Sequence, residues 1–108
     1  LLEPLENKGM LRRPIIPDDC EHNAHMYYII LAPEIDRQKV LDSFRLNEIG
    51  AVFHYVSLHS SPAGRHYGRV YGDLNVTNRQ SNGLVRLPLW IGLSNEQQDR
   101  IVKVLSDF

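Results

Sequence analysis

An apolar run over residues 24–31 (AHMYYIIL) constrains the fold of this chain most strongly. The run is rich in β-forming residues and apolar on both faces, which predicts a central, buried β-strand. Two further apolar segments, 51–56 (AVFHYV) and 84–89 (LVRLPL), predict a second and a shorter third strand. Pro88 suits the end or the edge of that third strand, because proline cannot donate to a sheet ladder.

Helices are predicted between and after these strands. Asp36 is the N-cap expected of a helix over 37–48, with one apolar side formed by Val40, Leu41 and Phe44 and with Gly50 closing it. Residues 57–75 read as a long loop, and 76–83 as a short helix. Ser94 starts a final helix with Gln97 at the capping-box position and Ile101, Val102 and Leu105 on its buried side. The class is therefore α+β, a small sheet of about three strands backed by helices. The pattern alone does not fix parallel or antiparallel pairing.

Length and charge exclude several classes of protein. The chain has 108 residues, which is one domain at most, and its net charge of -1 implies no broad attraction to nucleic acid or to an anionic membrane. No apolar run is long enough to span a bilayer. Cys20 is the only cysteine, so no internal disulfide forms, and a reducing cytoplasm is the expected location.

The first residues predict a segment of a longer protein. Leu1, Leu2 and Leu5 form an apolar edge that opens without a starting methionine or a helix cap, and Gly9 then ends it. We interpret residues 1–9 as the tail of a helix from a missing part, and 1–108 as a single C-terminal small domain. Without that missing part, this leucine edge is expected to be exposed.

The stretch from residue 54 to residue 61 (HYVSLHSS) is the main candidate for ligand binding. It concentrates imidazole, phenol and hydroxyl groups where a strand runs into a long loop, and these groups can bind phosphate or sugar oxygens. The candidate substrate-binding residues are His54, Tyr55, His59, Ser60 and Ser61. The structural alternative is that His54 and Tyr55 pack in the sheet while the serines make turn hydrogen bonds.

Other clusters give weaker signals. Arg65, His66 and Arg69 form either a small phosphate-binding surface or ordinary solvated charges, and the second interpretation is favoured. The histidines have no recognisable zinc-ligand spacing, so no metal site is predicted; His25 reads as a core residue of the first strand. Lys8 and the two helical lysines, Lys39 and Lys103, lack the apolar pocket that Schiff-base chemistry needs.

Four pieces of the chain resemble one known family. KGMLRRP at 8–14, HNAHMYYIIL at 22–31, AVFHYVSLHSSPAG at 51–64 and LVRLPL at 84–89 look like the C-terminal domain of the DegT/DnrJ/EryC1/StrS aminotransferases. Within that family, HNAHM and LHSSPAG are similar to the branch that makes dTDP-4-amino-4,6-dideoxygalactose for enterobacterial common antigen. Together the pieces cover nearly the whole chain.

The resemblance implies the small domain of a type I aminotransferase fold, in a parent that holds pyridoxal phosphate on a lysine of its large domain. That parent would move an amino group from glutamate onto C4 of a dTDP-4-keto-6-deoxy sugar, as a homodimer with sites at the subunit interface. His59 matches the family's Pro-Leu-His histidine, although Ser57 stands where proline is usual. The catalytic lysine would lie upstream of this chain.

It follows that this chain has no catalytic, cofactor-binding or metal-binding residue of its own, and that alone it should be inactive and bind no pyridoxal phosphate. Its partners would be the missing large domain, a second subunit and the sugar nucleotide. Two other interpretations stay open from the residues: a free-standing α+β module that binds a phosphorylated metabolite, and a small metal-dependent enzyme using the histidines.

Overall fold

A three-stranded antiparallel sheet organises the chain in the computed structural model, which describes all of residues 1–108. The sheet order is β1 (Leu11–Arg12), β2 (Tyr27–Leu31), β3 (Leu84–Leu87), with Leu11 opposite Leu31 and Tyr27 opposite Leu87. The helices are α1 (Glu3–Asn7), α2 (Arg37–Leu46), α3 (Pro62–Tyr67), α4 (Asn75–Gly83) and α5 (Asn95–Ser106), with a 3-10 turn at Leu58–Ser60. The predicted α+β class and the number of strands are confirmed.

The predicted second strand at 51–56 is wrong. Only Val52 pairs with the sheet, through reciprocal hydrogen bonds with Arg86 of 3.2 and 2.7 Å. In that antiparallel register Gly50 lies opposite Pro88, which has no N–H to donate, and Val56 lies opposite Asn82, which belongs to α4. Residues 51–54 lie opposite β3, but only Val52 makes ladder hydrogen bonds with it, so the segment alternates like a strand without pairing along its length.

The third strand of the sheet comes instead from the predicted connector, where β1 pairs with β2. β2 itself begins at Tyr27 rather than at residue 24, because Ala24 has a positive φ of 49° and turns the backbone before the ladder starts. His25 is consequently exposed beside Asn23, with 2.8 Å between its Nδ1 and Asn23 Oδ1, and it is not the core residue predicted.

Both helix caps follow the prediction. The Asp36 carboxylate accepts hydrogen bonds from the backbone N–H groups of Gln38 (2.8 Å) and Lys39 (3.4 Å) at the start of α2. At α5, Ser94 Oγ accepts from Gln97 N and Gln97 Oε1 accepts from Ser94 N, which completes the capping box. The long loop predicted at 57–75 is in part helical, since it contains the 3-10 turn and α3.

The core lies between one face of the sheet and the two longest helices. Its fully buried members are Phe44 and Val40 of α2, Ile29 of β2 and Val85 of β3. From α5 it receives Ile101, Val104 and Leu105; Val102, which was predicted to be buried, only packs partly against it.

The expected exposure of the leucine edge is wrong for two of its three members. Leu2 and Leu5 belong to the core, whereas Leu1 is exposed. The chain reverses after α1 at Gly9, whose φ is +75°, and Met10 N donates to Leu5 O, which lays the helix against the sheet.

An ion pair between Glu6 and Arg13 stabilises this reversal of the chain. The Glu6 carboxylate accepts hydrogen bonds from Arg13 N at 2.7 Å and from Arg13 Nε at 2.5 Å. These hydrogen bonds, the backbone one first, lower the pKa of Glu6, and the Glu6 carboxylate raises the pKa of Arg13. The pair therefore fixes the position of α1 relative to β1.

Candidate functional site

The residues predicted to bind a ligand lie on a segment that leaves the sheet at Val52 and ends in α3. The 3-10 turn carries His59 and Ser60, and Ser61 caps α3. Ser60 Oγ donates to Ser57 O at 2.9 Å, and Ser61 Oγ donates to Leu58 O at 2.8 Å. Ser61 Oγ also accepts from Gly64 N at 3.0 Å. The two serine hydroxyls are therefore engaged in holding the turn.

Gly64 is required by this turn. A Cβ at position 64 would overlap the Leu58 carbonyl oxygen and would lie 2.7 Å from the Leu58 carbonyl carbon. Because the 3-10 turn and α3 touch at this point, only a residue without a side chain lets them pack so closely. The Ser-Pro-Ala-Gly sequence thus supplies a cap, a first helical residue and the close approach in four consecutive positions.

His59 reaches from this turn to α4. Its Nε2 lies 2.8 Å from Asn78 Oδ1, although the two residues are 19 positions apart in the sequence. A second bond runs in parallel, from Ser57 Oγ to Ser81 Oγ at 2.8 Å. The half-buried imidazole is therefore fixed by a side chain of another helix and is not bonded to the backbone.

His59 lines an open groove with a volume of about 620 Å³. Of the five predicted site residues, only His59 contributes to its wall. The other lining residues come from the turn, from α3 and from the segment between α3 and α4: Leu58, Ala63, Gly64, Tyr67, Gly68, Arg69, Val70, Tyr71 and Leu74. Arg69 was favoured as a solvated charge and here lines the groove, whereas Arg65 and His66 do not.

His54 and Tyr55 lie outside this groove. Their rings pack edge to face at 4.4 Å between centroids, and Tyr55 is largely exposed. His54 Nδ1 is buried without a hydrogen-bond partner. Neither residue is packed in a sheet, because the strand predicted for them does not form.

Sequence reasoning did not identify the contributions of Tyr67, Tyr71 and Asn78. The spacing of the two tyrosines in a glycine-rich segment is the only local signal for the groove wall. Nothing local indicates Asn78, because its role depends on how α4 docks against the 3-10 turn.

No three histidine, cysteine, aspartate or glutamate side chains come together where they could hold a metal ion. None of the helices combines the length and apolar character needed to cross a membrane. All three lysines are exposed and none lines the groove, so the residues present do not fit the aldehyde of pyridoxal phosphate.

The three-stranded sheet with its helices is a small α+β unit that matches part of the fold of solved aminotransferases. The sequence model of the DegT/DnrJ/EryC1/StrS aminotransferase family matches residues 2–106. The chain belongs to that family.

Individual relatives agree with this assignment. The dTDP-3-amino-3,4,6-trideoxy-alpha-D-glucose transaminase of Micromonospora megalomicea subsp. nigra is 24% identical over 108 residues, 98% of this chain and 28% of that protein. A DegT DnrJ EryC1 StrS aminotransferase from Brucella abortus superposes with a TM-score of 0.78 at 27% identity, over 99% of this chain and 28% of that one. The chain thus spans about 28% of the length of these relatives.

A third structure supports the fold alone. DesV of S. venezuelae, solved in complex with a ketimine intermediate, has a TM-score of 0.81 at 20% identity, over 98% of this chain and 28% of that one.

Proposed function

We propose that this chain is the small-domain segment of a longer, cytoplasmic, pyridoxal-phosphate-dependent sugar-nucleotide aminotransferase, and that its groove contacts the sugar nucleotide. The reaction proposed for the whole enzyme moves an amino group from glutamate onto C4 of a dTDP-4-keto-6-deoxyhexose. Family membership supports the reaction class, and the name of the Micromonospora relative supports a dTDP-sugar. The observation that carries the role of this segment is the anchored imidazole of His59 at the groove wall.

The groove has the chemistry that such a ligand needs. Its volume of about 620 Å³ falls within the range of about 300–1,000 Å³ that is usual for small-molecule sites. Arg69 offers a forked donor to a diphosphate, and the tyrosine rings offer apolar surface to a deoxysugar or a base.

The same groove is open, and the residues Tyr67 and Tyr71 in its wall are 85% and 99% exposed. Small-molecule sites bury most of their ligand, so this wall needs a cover from elsewhere. In our proposal the large domain and a second subunit of a homodimer provide it. With the site divided in this way, we expect the isolated segment to be inactive.

The most specific part of the proposal is the sugar carbon that receives the amino group. The motifs HNAHM and LHSSPAG favour the C4 product of the enterobacterial common antigen branch, whereas the Micromonospora relative is named for a 3-amino sugar. Offering the full-length enzyme the 4-keto and the 3-keto dTDP-6-deoxyhexose separates the two, and amination of only the 3-keto sugar would contradict the C4 assignment.

The isolated chain is expected not to form a Schiff base with pyridoxal phosphate at a specific lysine. Lys8, Lys39 and Lys103 are all exposed, and no apolar enclosure favours the neutral amine. Absorbance in the aldimine band, borohydride trapping and peptide mapping test this. Stoichiometric labelling of one lysine would contradict it.

In the full-length enzyme, His59→Ala is expected to raise KM for the sugar nucleotide on the order of ten- to hundredfold. The physical reason is the loss of one hydrogen bond to a desolvated ligand group, about 1–3 kcal/mol. Pyridoxal phosphate loading, read from cofactor absorbance, should not change, because no residue of this groove is proposed to hold the cofactor.

His25→Ala is the matched control, because His25 lies before β2, is exposed and does not line the groove. His66 is unsuitable, since its ring packs edge to face on Tyr67 of the groove wall, with 4.4 Å between the ring centroids. KM should stay within about twofold of wild type in His25→Ala, since an exposed side chain with no contact to the ligand contributes little. A lowered melting temperature with unchanged KM in His59→Ala would reject the substrate role and leave only a structural one.

A further inference from the structure

The hydrogen bond between His59 and Asn78 assigns different roles to the two nitrogens of the imidazole. Asn78 Oδ1 is an amide oxygen, which only accepts, so the 2.8 Å contact is a hydrogen bond in the tautomer that carries the proton on Nε2. In the neutral ring the other nitrogen, Nδ1, then has a lone pair and no hydrogen. No protein group bonds to His59 Nδ1, and the residue lines the groove.

We propose that Asn78 is a positioning residue that commits His59 Nε2 to donation and so presents Nδ1 as an acceptor for a hydroxyl group of the substrate sugar. This inference rests on the proposed function and specifies which group of the substrate His59 contacts. A neutral acceptor nitrogen repels a phosphate oxygen, which is also an acceptor, and it pairs with a hydroxyl, which can donate. In this proposal Arg69 binds the diphosphate.

The structure allows this role to be tested without dismantling the fold. α4 buries no side chain, and four hydrogen bonds join it to other parts of the chain: besides that of Asn78, Ser81 bonds to Ser57, Gln80 accepts from Arg12 at 3.3 Å, and the Ser81 carbonyl accepts from Arg37. Replacing Asn78 removes only one of these four contacts. Asn78→Leu deletes the acceptor and keeps the branching and the number of side-chain heavy atoms, and Asn78→Asp retains an acceptor oxygen at the same place.

The first measurement does not depend on substrate. In the 15N-labelled 108-residue chain at a pH of about 9, where free imidazole is neutral, the ring nitrogens of His59 should report a single tautomer protonated at Nε2. The resonances are assigned with His59→Ala. Asn78→Leu should give nitrogen shifts averaged over both tautomers, whereas Asn78→Asp and the control Asn82→Leu, an exposed asparagine on the same helix, should keep the single form. Averaged shifts in the wild type, or a single tautomer in Asn78→Leu, would overturn the proposal.

The second measurement uses the full-length enzyme. Asn78→Leu should raise KM for the sugar nucleotide about two- to tenfold with kcat nearly unchanged, as expected for weakening one neutral hydrogen bond. Asn78→Asp should keep KM at the wild-type value at a pH of about 9, where free imidazole is neutral; at lower pH a carboxylate beside the ring favours the doubly protonated form, which has no acceptor nitrogen. Asn78→Leu should add nothing in a His59→Ala background. An additive effect in that double variant would overturn the link through His59.

Two ligands separate the sugar from the diphosphate. With dTDP alone, which lacks the hydroxyls of the hexose, His59→Ala and Asn78→Leu should bind as wild type does. Equal weakening for dTDP and the dTDP-sugar would overturn the hydroxyl assignment. If the tautomer changes as expected but neither variant alters KM, the proposed function fails and the substrate part of this inference fails with it, while the Asn78–His59 constraint stands.

Discussion

Phe44→Ala is expected to lower the free energy of unfolding of this chain by about 3–5 kcal/mol, the cost of truncating a fully buried phenylalanine. Phe44 has no exposed surface and lies with Ile29, Val40 and Val85 at the centre of the core. A chain of this size has a total stability of about 5–15 kcal/mol, so one substitution removes a large fraction of it. Urea unfolding monitored by circular dichroism measures this loss of free energy. In thermal unfolding, Tm should fall by on the order of 15 °C.

Phe108→Ala provides the matched control, because the same atoms are removed from a partly exposed position at the end of the chain. It should cost about 0.5 kcal/mol or less, as surface substitutions usually do. Equal costs for the two variants would mean that α2 does not pack on the sheet as described, and the arrangement of β3 and the groove relative to α2 would then be wrong as well.

The parts of the fold that sequence predicted well depend on neighbours in the chain. The Asp36 cap and the capping box of Ser94 and Gln97 each involve residues within three positions, so their signals are local. The strand at 51–56 failed because a strand needs a partner, and alternation says nothing about whether one exists. Pro88 on one side and α4 on the other leave only residues 51–54 opposite β3, and of these only Val52 pairs, through its bridge with Arg86.

The burial of Leu2 and Leu5 was missed for a related reason. An apolar edge at the start of a chain is compatible with exposure or with folding back. Whether Leu2 and Leu5 are buried depends on the turn at Gly9 and on the ion pair between Glu6 and Arg13. These two charged residues come together only because of that turn. The spacing of the leucines carries no information about it.

The candidate site also contains both a residue that the sequence predicted and a residue that it could not predict. His59 stood out because histidine, hydroxyls and a loop entry coincide, and because the family pattern places a histidine there. Asn78 could not be found, since its contact with His59 spans 19 positions and depends on the docking of α4. His54 and Tyr55 were candidates on composition, and the structure leaves them outside the groove.

The shape of the groove depends on Gly64, and two opposing effects act on its replacement. Position 64 lies inside α3, where alanine is favoured over glycine by about 1 kcal/mol in helix propensity. A Cβ there would, however, overlap the carbonyl oxygen of Leu58 and approach Ser61 Oγ to 3.0 Å. Overpacking against rigid backbone typically costs about 1–3 kcal/mol or more, so the clash outweighs the propensity.

Gly64→Ala is therefore expected to separate the 3-10 turn from α3 and to remove His59 from Asn78, with a rise in KM of at least the ten- to hundredfold predicted for His59→Ala. Neither the turn nor α3 buries a side chain, so the global unfolding transition should shift little while the backbone amides of Arg65 and Gly68 lose hydrogen-exchange protection. Gly50→Ala is the control: no atom lies within 4 Å of its Cβ position, and protection and KM should both stay at wild-type values. Wild-type hydrogen exchange and wild-type KM in Gly64→Ala would show that the turn and the helix do not touch at Leu58, and the groove as described would then be wrong.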